Sequence, residues 1–429
     1  MLRRFLRMTR LAGCCFVEGL FAAPEAAPKL GARRLSPYLV YFLFGLGVSW
    51  YHSFKSVLKN SSKATLDGDI YVALSAGFFL ATNVTAISMV LHAPRLVELI
   101  HMCDAFELKR PLRQRRQLNR LCTWIVLLLC AFTLHQNVFR LQRLVRTATA
   151  LHFVRRLFTL LGVLFQLAWT HISPAGVFLM SRLLNAYAEE AHAALELIVS
   201  GGRSRGPLRF KFLSDTKDDL RQLRRIVEAT NDVFQKGLLA EFAKGGVCLC
   251  CAIFYLMSRN NPVTVAVHHA LFVTFIALNL ALTTWSADGV VNQVEKIKQS
   301  VRMHLESGAV PRTLRKEIQT FVLSLDSEAY RLTAGGLFKL KLSVLPSVAG
   351  AVFTYTLILI QTSLHFENGC LAKRNVTNGS APKNTGAVFT YTLILIQTSL
   401  HFENGCLAKR NVTNGSAPKN TGHVLKSVF

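Results

Sequence analysis

At 429 residues the chain could hold two or three soluble domains, yet 51% of it is apolar and only 17% charged, where a soluble protein carries about a quarter. Its net charge of +26 raises nucleic acid as a partner, and the distribution of that charge argues against it. The apolar residues gather instead in runs of bilayer length.

In chain order, residues 1–36 come first, opening on MLRRFLRMTRLAGCCFVEGLF. A basic start and an apolar middle resemble a signal peptide, but Glu18 interrupts a short apolar part, so the segment reads as an amphipathic cytosolic N-terminus. Seven spans follow, at roughly 37–54, 69–91, 121–139, 157–180, 238–257, 264–285 and 338–361. The fifth is the weakest, because Glu241 and Lys244 stand near its start. Helices satisfy their own backbone polar groups in lipid, so the fold class is an all-α polytopic membrane protein with seven transmembrane helices.

Charge sets the orientation. With the N-terminus inside, the inside segments 1–36, 92–120, 181–237 and 286–341 hold seven, seven, ten and nine Lys plus Arg. The outside loops 55–68, 140–156 and 258–263 hold three, five and one. The bias is that of a cytosolic N-terminus, and it leaves no reason to invoke nucleic acid. Seven spans then put the C-terminus outside. Glycosylation sequons agree: Asn60 falls in the first outside loop, and Asn375, Asn378, Asn411 and Asn414 fall in the tail. Asn83 also begins a sequon, but it lies within the second span.

The long inside segments predict extended cytosolic helices. In 181–237, LLNAYAEEAHAALELIV and DDLRQLRRIVEATNDVFQKGLL carry apolar residues at helical spacing, separated by GGRSRGP. Leu220, Leu223, Ile226 and Val227 share one face, followed by Val233 and Phe234. Segment 290–330 is similar, with VEKIKQSVRMHL and TLRKEIQTFVLSL split by SGAVP. Such stripes must pack together beneath the membrane or against other subunits.

Chemical motifs are absent. There is no phosphate loop, dinucleotide fingerprint, zinc-protease helix or nucleophile elbow, so the sequence predicts no enzyme, no cofactor and no metal. His268 and His269 are adjacent and face different sides of a helix, and Cys248, Cys250 and Cys251 read as small packing residues.

The last span holds the informative pattern. Thr333-Ala334-Gly335-Gly336-Leu337-Phe338 leads into it, and Thr354-Tyr355, the five apolar residues TLILI and Gln361 end it. Together these resemble the signature of the insect gustatory receptor family, in which a TA-x-G-hydrophobic-F segment precedes a last helix ending T-Y-five-apolar-Q-F. Here Thr362 stands in place of that Phe. The resemblance covers roughly 37–362 and implies a taste chemoreceptor: a ligand-gated, non-selective cation channel of four like or related subunits in the plasma membrane of a sensory neuron. It further implies that the last helix lines the pore, with Gln361 as its amide ring and Ile358 as its apolar gate. Residues three apart share a helix face, and an apolar ring closes a pore by dewetting. Tyr355 is expected to pack against neighbouring helices.

A small-molecule tastant would bind among the membrane helices, where Trp124, His135, Gln136, Gln166, Trp169 and His171 are the polar and aromatic candidates. Membrane lipids surround the spans. An odorant receptor-like channel subunit and a conventional G-protein-coupled chemoreceptor are the alternatives, the latter needing an outside N-terminus.

Residues 363–429 form the expected extracellular tail, and within it 386–421 repeat 350–385 without a substitution. The second copy has its own Thr390, Tyr391 and Gln397 but lacks the upstream LFKLKLSVLP that gives the first copy spanning length. It reads as a duplicated exon or an assembly error, and only the first copy as the pore.

Overall fold

The computed structural model describes residues 2–11, 13, 37–61, 66–145, 149–199, 206–257, 263–307 and 312–374. The chain divides into a unit Met1–Ala381 and a unit Pro382–Phe429; the second, with the sequons at Asn411 and Asn414 and the repeat 386–421, lies outside the described residues.

The described residues are almost wholly helical. The helices are α1 (Leu2–Leu11), α2 (Pro37–Ser61), α3 (Leu66–Leu91), α4 (Ala93–Lys109), α5 (Arg115–Val145), α6 (Ala150–Val199), α7 (Gly206–Met257), α8 (Val263–Glu306), α9 (Arg312–Ser324) and α10 (Val344–Arg374). A short 3-10 turn (Ser327–Tyr330) and a two-residue-per-strand hairpin, β1 (Thr333–Ala334) and β2 (Phe338–Lys339), join α9 to α10.

Among the described residues six helices, α3, α5, α6, α7, α8 and α10, are long and apolar enough to cross a membrane, which makes this a multi-pass membrane protein. α2 takes the place of the first expected span and is 25 residues long, but Tyr51, His52 and the polar end KSVLKNS reduce its apolar character. The fifth span, weakened in the sequence by Glu241 and Lys244, is instead the most buried: 67% of the most apolar stretch of α7 is inside the chain, against 11% for α10.

The long helices outrun the bilayer. α6 has 50 residues and α7 has 52, or about 75 Å each at 1.5 Å per residue, more than twice the hydrocarbon core. Their extensions are the helices expected from 181–237. Leu220, Leu223, Ile226, Val227, Val233 and Phe234 are all buried, so the predicted stripe is the one that packs. α8 and α9 likewise reproduce the two stripes of 290–330.

The loop read at 92–120 differs, because its first part is α4. Leu96, Leu99, Ile100, Cys103 and Phe106 recur every three or four residues and are buried against the rest of the core. Lys109 and Arg110, at its end, both reach the buried carboxylate of Asp219 on α7, at 2.6 and 3.0 Å. α1 is amphipathic as expected and buries Leu2, Phe5 and Leu6, while Arg3 pairs with Asp104 at 2.6 Å.

α7 organises the whole. It touches α3, α4, α6, α8, α10 and β1. α10, by contrast, makes its main contact with α7.

Candidate functional site

The site begins where the chain re-enters the membrane. In the hairpin, Thr333 is opposite Lys339 and Ala334 opposite Phe338. The reversal over three residues uses Gly335 and Gly336 at φ of +63° and +71°, a region that side chains with a Cβ rarely adopt. A Cβ on Gly335 would stand 2.5 Å from Leu239 Cδ2, so the turn also lies hard against α7. One face of α7 holds it there. Asn231 Nδ2 donates to Arg331 O at 3.2 Å and its Oδ1 accepts from Thr333 N at 3.0 Å. Gly335 N donates to Gln235 O at 2.8 Å, and Phe338 meets Phe242 edge-on at 5.2 Å. The TA-x-G-hydrophobic-F pattern is thus a docking hairpin, with a glycine needed at the x position too.

Ion pairs fix its other side. Arg331 donates to Glu328 at 2.6 and 3.0 Å and to Asp288 on α8 at 3.0 Å. Lys339 adds a bond to Glu328 at 3.0 Å. The Arg331 hydrogen bonds, then that from Lys339, hold the Glu328 carboxyl down at about 2. Burial pushes the neighbouring Tyr330 hydroxyl up to about 12, and that hydroxyl donates to Leu220 O at 3.1 Å.

α10 follows. Pro346 sits in its first turn, where N–H groups have no helical acceptor to lose. Thr354, Thr356 and Thr362 each return their hydroxyl to the carbonyl four residues back, at 2.9, 2.8 and 2.8 Å, which suits them to an apolar helix. Val352 and Thr356 are buried, and Cys250 Sγ of α7 donates to Val352 O at 3.6 Å. Tyr355 and Leu359 pack against the core beside them. The opposite face is open: Gly350, Thr354, Leu357 and Gln361 are all exposed. The Gln361 amide makes no hydrogen bond among the described residues. Ile358 is half-buried at the margin of that face. At 100° per residue, Leu357 lies about 40° around the axis from Gln361 and Ile358 about 60°.

The six ligand-pocket candidates do not converge. Gln166 and Trp169 on α6 face α2: Gln166 Nε2 donates to Ser53 Oγ at 3.3 Å, and Trp169 stacks on Phe42 at 5.2 Å. Trp124 on α5 is 69% exposed. His135 and Gln136 are half-buried one helical turn and more beyond Phe132. His171, fully inside, faces α5, α7 and α8, between the rings of Phe132 and Phe275 at 5.7 and 5.3 Å.

His171 has neighbours that sequence reasoning did not connect to it. Its Nδ1 lies 3.6 Å from Glu241 Oε1, and Glu241 pairs with Lys244 at 2.6 Å. Both charged side chains are buried, and the Lys244 ammonium sits 4.8 Å over the Phe78 ring. The available signal was the spacing: opposite charges three apart inside an apolar helix can neutralise each other there. Asn83, in the second span, is similarly satisfied, accepting from Trp50 Nε1 at 2.8 Å. Of the sequons, Asn60 falls in the last turn of α2, and the four in the tail lie outside the described residues.

A sequence model of the chemosensory receptor family, described as 7tm Chemosensory receptor, matches residues 28–366. The chain belongs to that family. No curated protein gives a match. Among solved structures it is similar to the insect olfactory receptor OR5 of Machilis hrabei, with a TM-score of 0.67 at 15% identity, covering 84% of this chain and 97% of that one. The same receptor in complex with eugenol gives a TM-score of 0.66 at 14% identity, with the same coverage. At that identity the likeness is one of fold alone. Membership makes the chain a chemosensory receptor.

Proposed function

We propose that this receptor is a gustatory, ligand-gated, non-selective cation channel of four subunits, homomeric or mixed, whose pore is lined by the open face of α10. The carrying observation is Gln361: an amide without a hydrogen-bond partner among the described residues, on the exposed face of an apolar helix. In lipid such a group is expensive, and a water-filled pore shared with other copies resolves the cost. The order of the hairpin and T-Y-five-apolar-Q motifs supports the gustatory reading, while the likeness to an olfactory receptor that binds eugenol favours an odorant role as the second one. It also supports a small organic agonist. A G-protein-coupled reading gains nothing from the charge bias, which favours a cytosolic N-terminus and an outside tail; the sequons at Asn60 and in that tail fit a plasma-membrane protein glycosylated there.

The open face refines the gate. Leu357 lies nearer the Gln361 meridian than Ile358, so both contribute apolar surface at the constriction, with Leu357 more central. The test is ligand-evoked current across a chemical panel in cells expressing this chain. Leu357→Ser and Ile358→Ser should hydrate the constriction and raise basal current, the first more than the second. Gln361→Glu should add up to four carboxylates and shift divalent-to-monovalent permeability. Variants that reach the surface and conduct like the parent would exclude α10 as the pore. Deleting the duplicate 386–421 should leave currents unchanged, because the first copy alone carries the pore face.

A further inference from the structure

Away from the pore face, a polar cavity of about 250 Å³ opens between the start of α5, α6 and α8. Arg182, Asn185, Glu189, Trp285, Lys296 and Leu342 line it. Trp285 closes the sixth span, and Leu342 stands two residues before α10, so the cavity lies at the membrane-water boundary. Its chemistry is unspent. Arg182 and Lys296 form no ion pair among the described residues, although the Arg182 guanidinium lies 5.7 Å from the Trp285 ring. Asn185 is nine-tenths buried, and its Oδ1 has no donor while its Nδ2 donates to Ser286 O at 3.4 Å. Glu189 is held by the amides of Gln114 and Gln293 at 2.8 and 3.3 Å.

We propose that this cavity binds a phosphate ester that also carries a hydrogen-bond donor, as in the headgroup of phosphatidylinositol. Arg182 and Lys296 meet the phosphate, by guanidinium fork and point charge respectively. Asn185 Oδ1 accepts from the donor, and an unmet buried acceptor of this kind otherwise costs stability. The volume suits a headgroup and is small for a drug-sized ligand. Leu118, Trp285 and Leu342 supply the apolar side along which acyl chains leave. In the orientation proposed above the cavity faces the cytoplasmic leaflet, where anionic lipids reside, but binding itself does not depend on that reading.

The full-length receptor, purified in detergent, would be offered phosphatidylinositol, phosphatidylcholine or free inositol 1-phosphate and examined by native mass spectrometry. Phosphatidylinositol should be retained over phosphatidylcholine, which has the phosphate but no donor. Retention should fall roughly tenfold in Arg182→Gln with Lys296→Gln, while Arg221→Gln, on the exposed surface of α7, leaves it unchanged. Lys296→Glu alone, an exposed position, gives the same loss should the double variant fold poorly. Inositol 1-phosphate retained as well as the lipid would keep the site and assign it to a soluble anion. Equal retention of the two lipids, or variants that hold phosphatidylinositol like the parent, would overturn the proposal.

Discussion

α7 and α10 both qualify as membrane spans by length and apolarity, yet 67% of the most apolar stretch of the one and 11% of that of the other is buried inside the chain. α7 answers its polar groups internally: Glu241 with Lys244, Cys250 with a carbonyl of α10, Asn231 and Gln235 with the hairpin. Among the described residues α10 returns the hydroxyls of Ser347, Thr354, Thr356 and Thr362 to carbonyls four residues back, and gives Gln361 no hydrogen bond. Apolarity therefore marks a helix for the membrane, and burial separates the helix that holds the subunit together from the one whose open face we propose to line a pore.

The sharpest way to break this contrast is to disturb the α7 charge pair. Lys244→Met strands a buried carboxylate, which should destabilise the purified receptor by about 3–5 kcal/mol and deplete it from the cell surface. Adding Glu241→Gln to Lys244→Met should restore most of the loss, since no uncompensated charge remains. On α10, Gln361→Leu should leave melting temperature and surface level intact while altering conductance. A melting temperature that falls equally for Lys244→Met and Gln361→Leu would erase the distinction between the two helices.

The hairpin joining them gives the next effect. Gly335→Ala must adopt φ near +63° and also meets Leu239 at 2.5 Å, whereas Gly336→Ala at +71° has only Gln235 Oε1 within reach, at 3.7 Å. Left-handed backbone alone costs roughly 1–2 kcal/mol, so Gly336→Ala should show that much and Gly335→Ala distinctly more. Thermal unfolding of the two variants checks the order. Equal losses would mean that the turn is not pressed against α7.

These contrasts explain what the sequence made legible. Runs of bilayer length located the spans, and helical spacing located the buried stripe from Leu220 to Phe234, because both are local patterns with one dominant cause. α4 was missed as a helix since the seven basic residues of 92–120 drew attention to charge, although Leu96, Leu99 and Cys103 already kept helical register. α2 is the opposite case, a helix whose Trp, Tyr and His make it a poor span by composition alone. The ligand candidates were chosen by residue type, and residue type does not say which neighbour a side chain faces. Gln166 and Trp169 turned to α2, and His171 to a charge pair about seventy residues further along the chain, on α7. The open face of α10 was legible only as a motif; its width, and the place of Leu357 in it, required knowing which residues α7 covers.

The smallest expected effect belongs to the seam between the two helices. Glu328 is held at about 2, below its ordinary 4.5, chiefly by the Arg331 hydrogen bonds. A carboxylate whose folded value is depressed contributes stability above its unfolded value and loses it as pH falls through the folded one. Its contribution should therefore be complete above about pH 4.5 and disappear progressively toward pH 2. The side chain is 40% exposed, so solvent screening keeps the contribution below about 1 kcal/mol. Glu328→Gln should flatten the acid limb of a melting-temperature profile between those values and leave the profile at neutral pH parallel to the parent's. An acid limb equally steep in parent and variant would show that Arg331 is anchored by Asp288 on α8 and that Glu328 adds nothing to the seam.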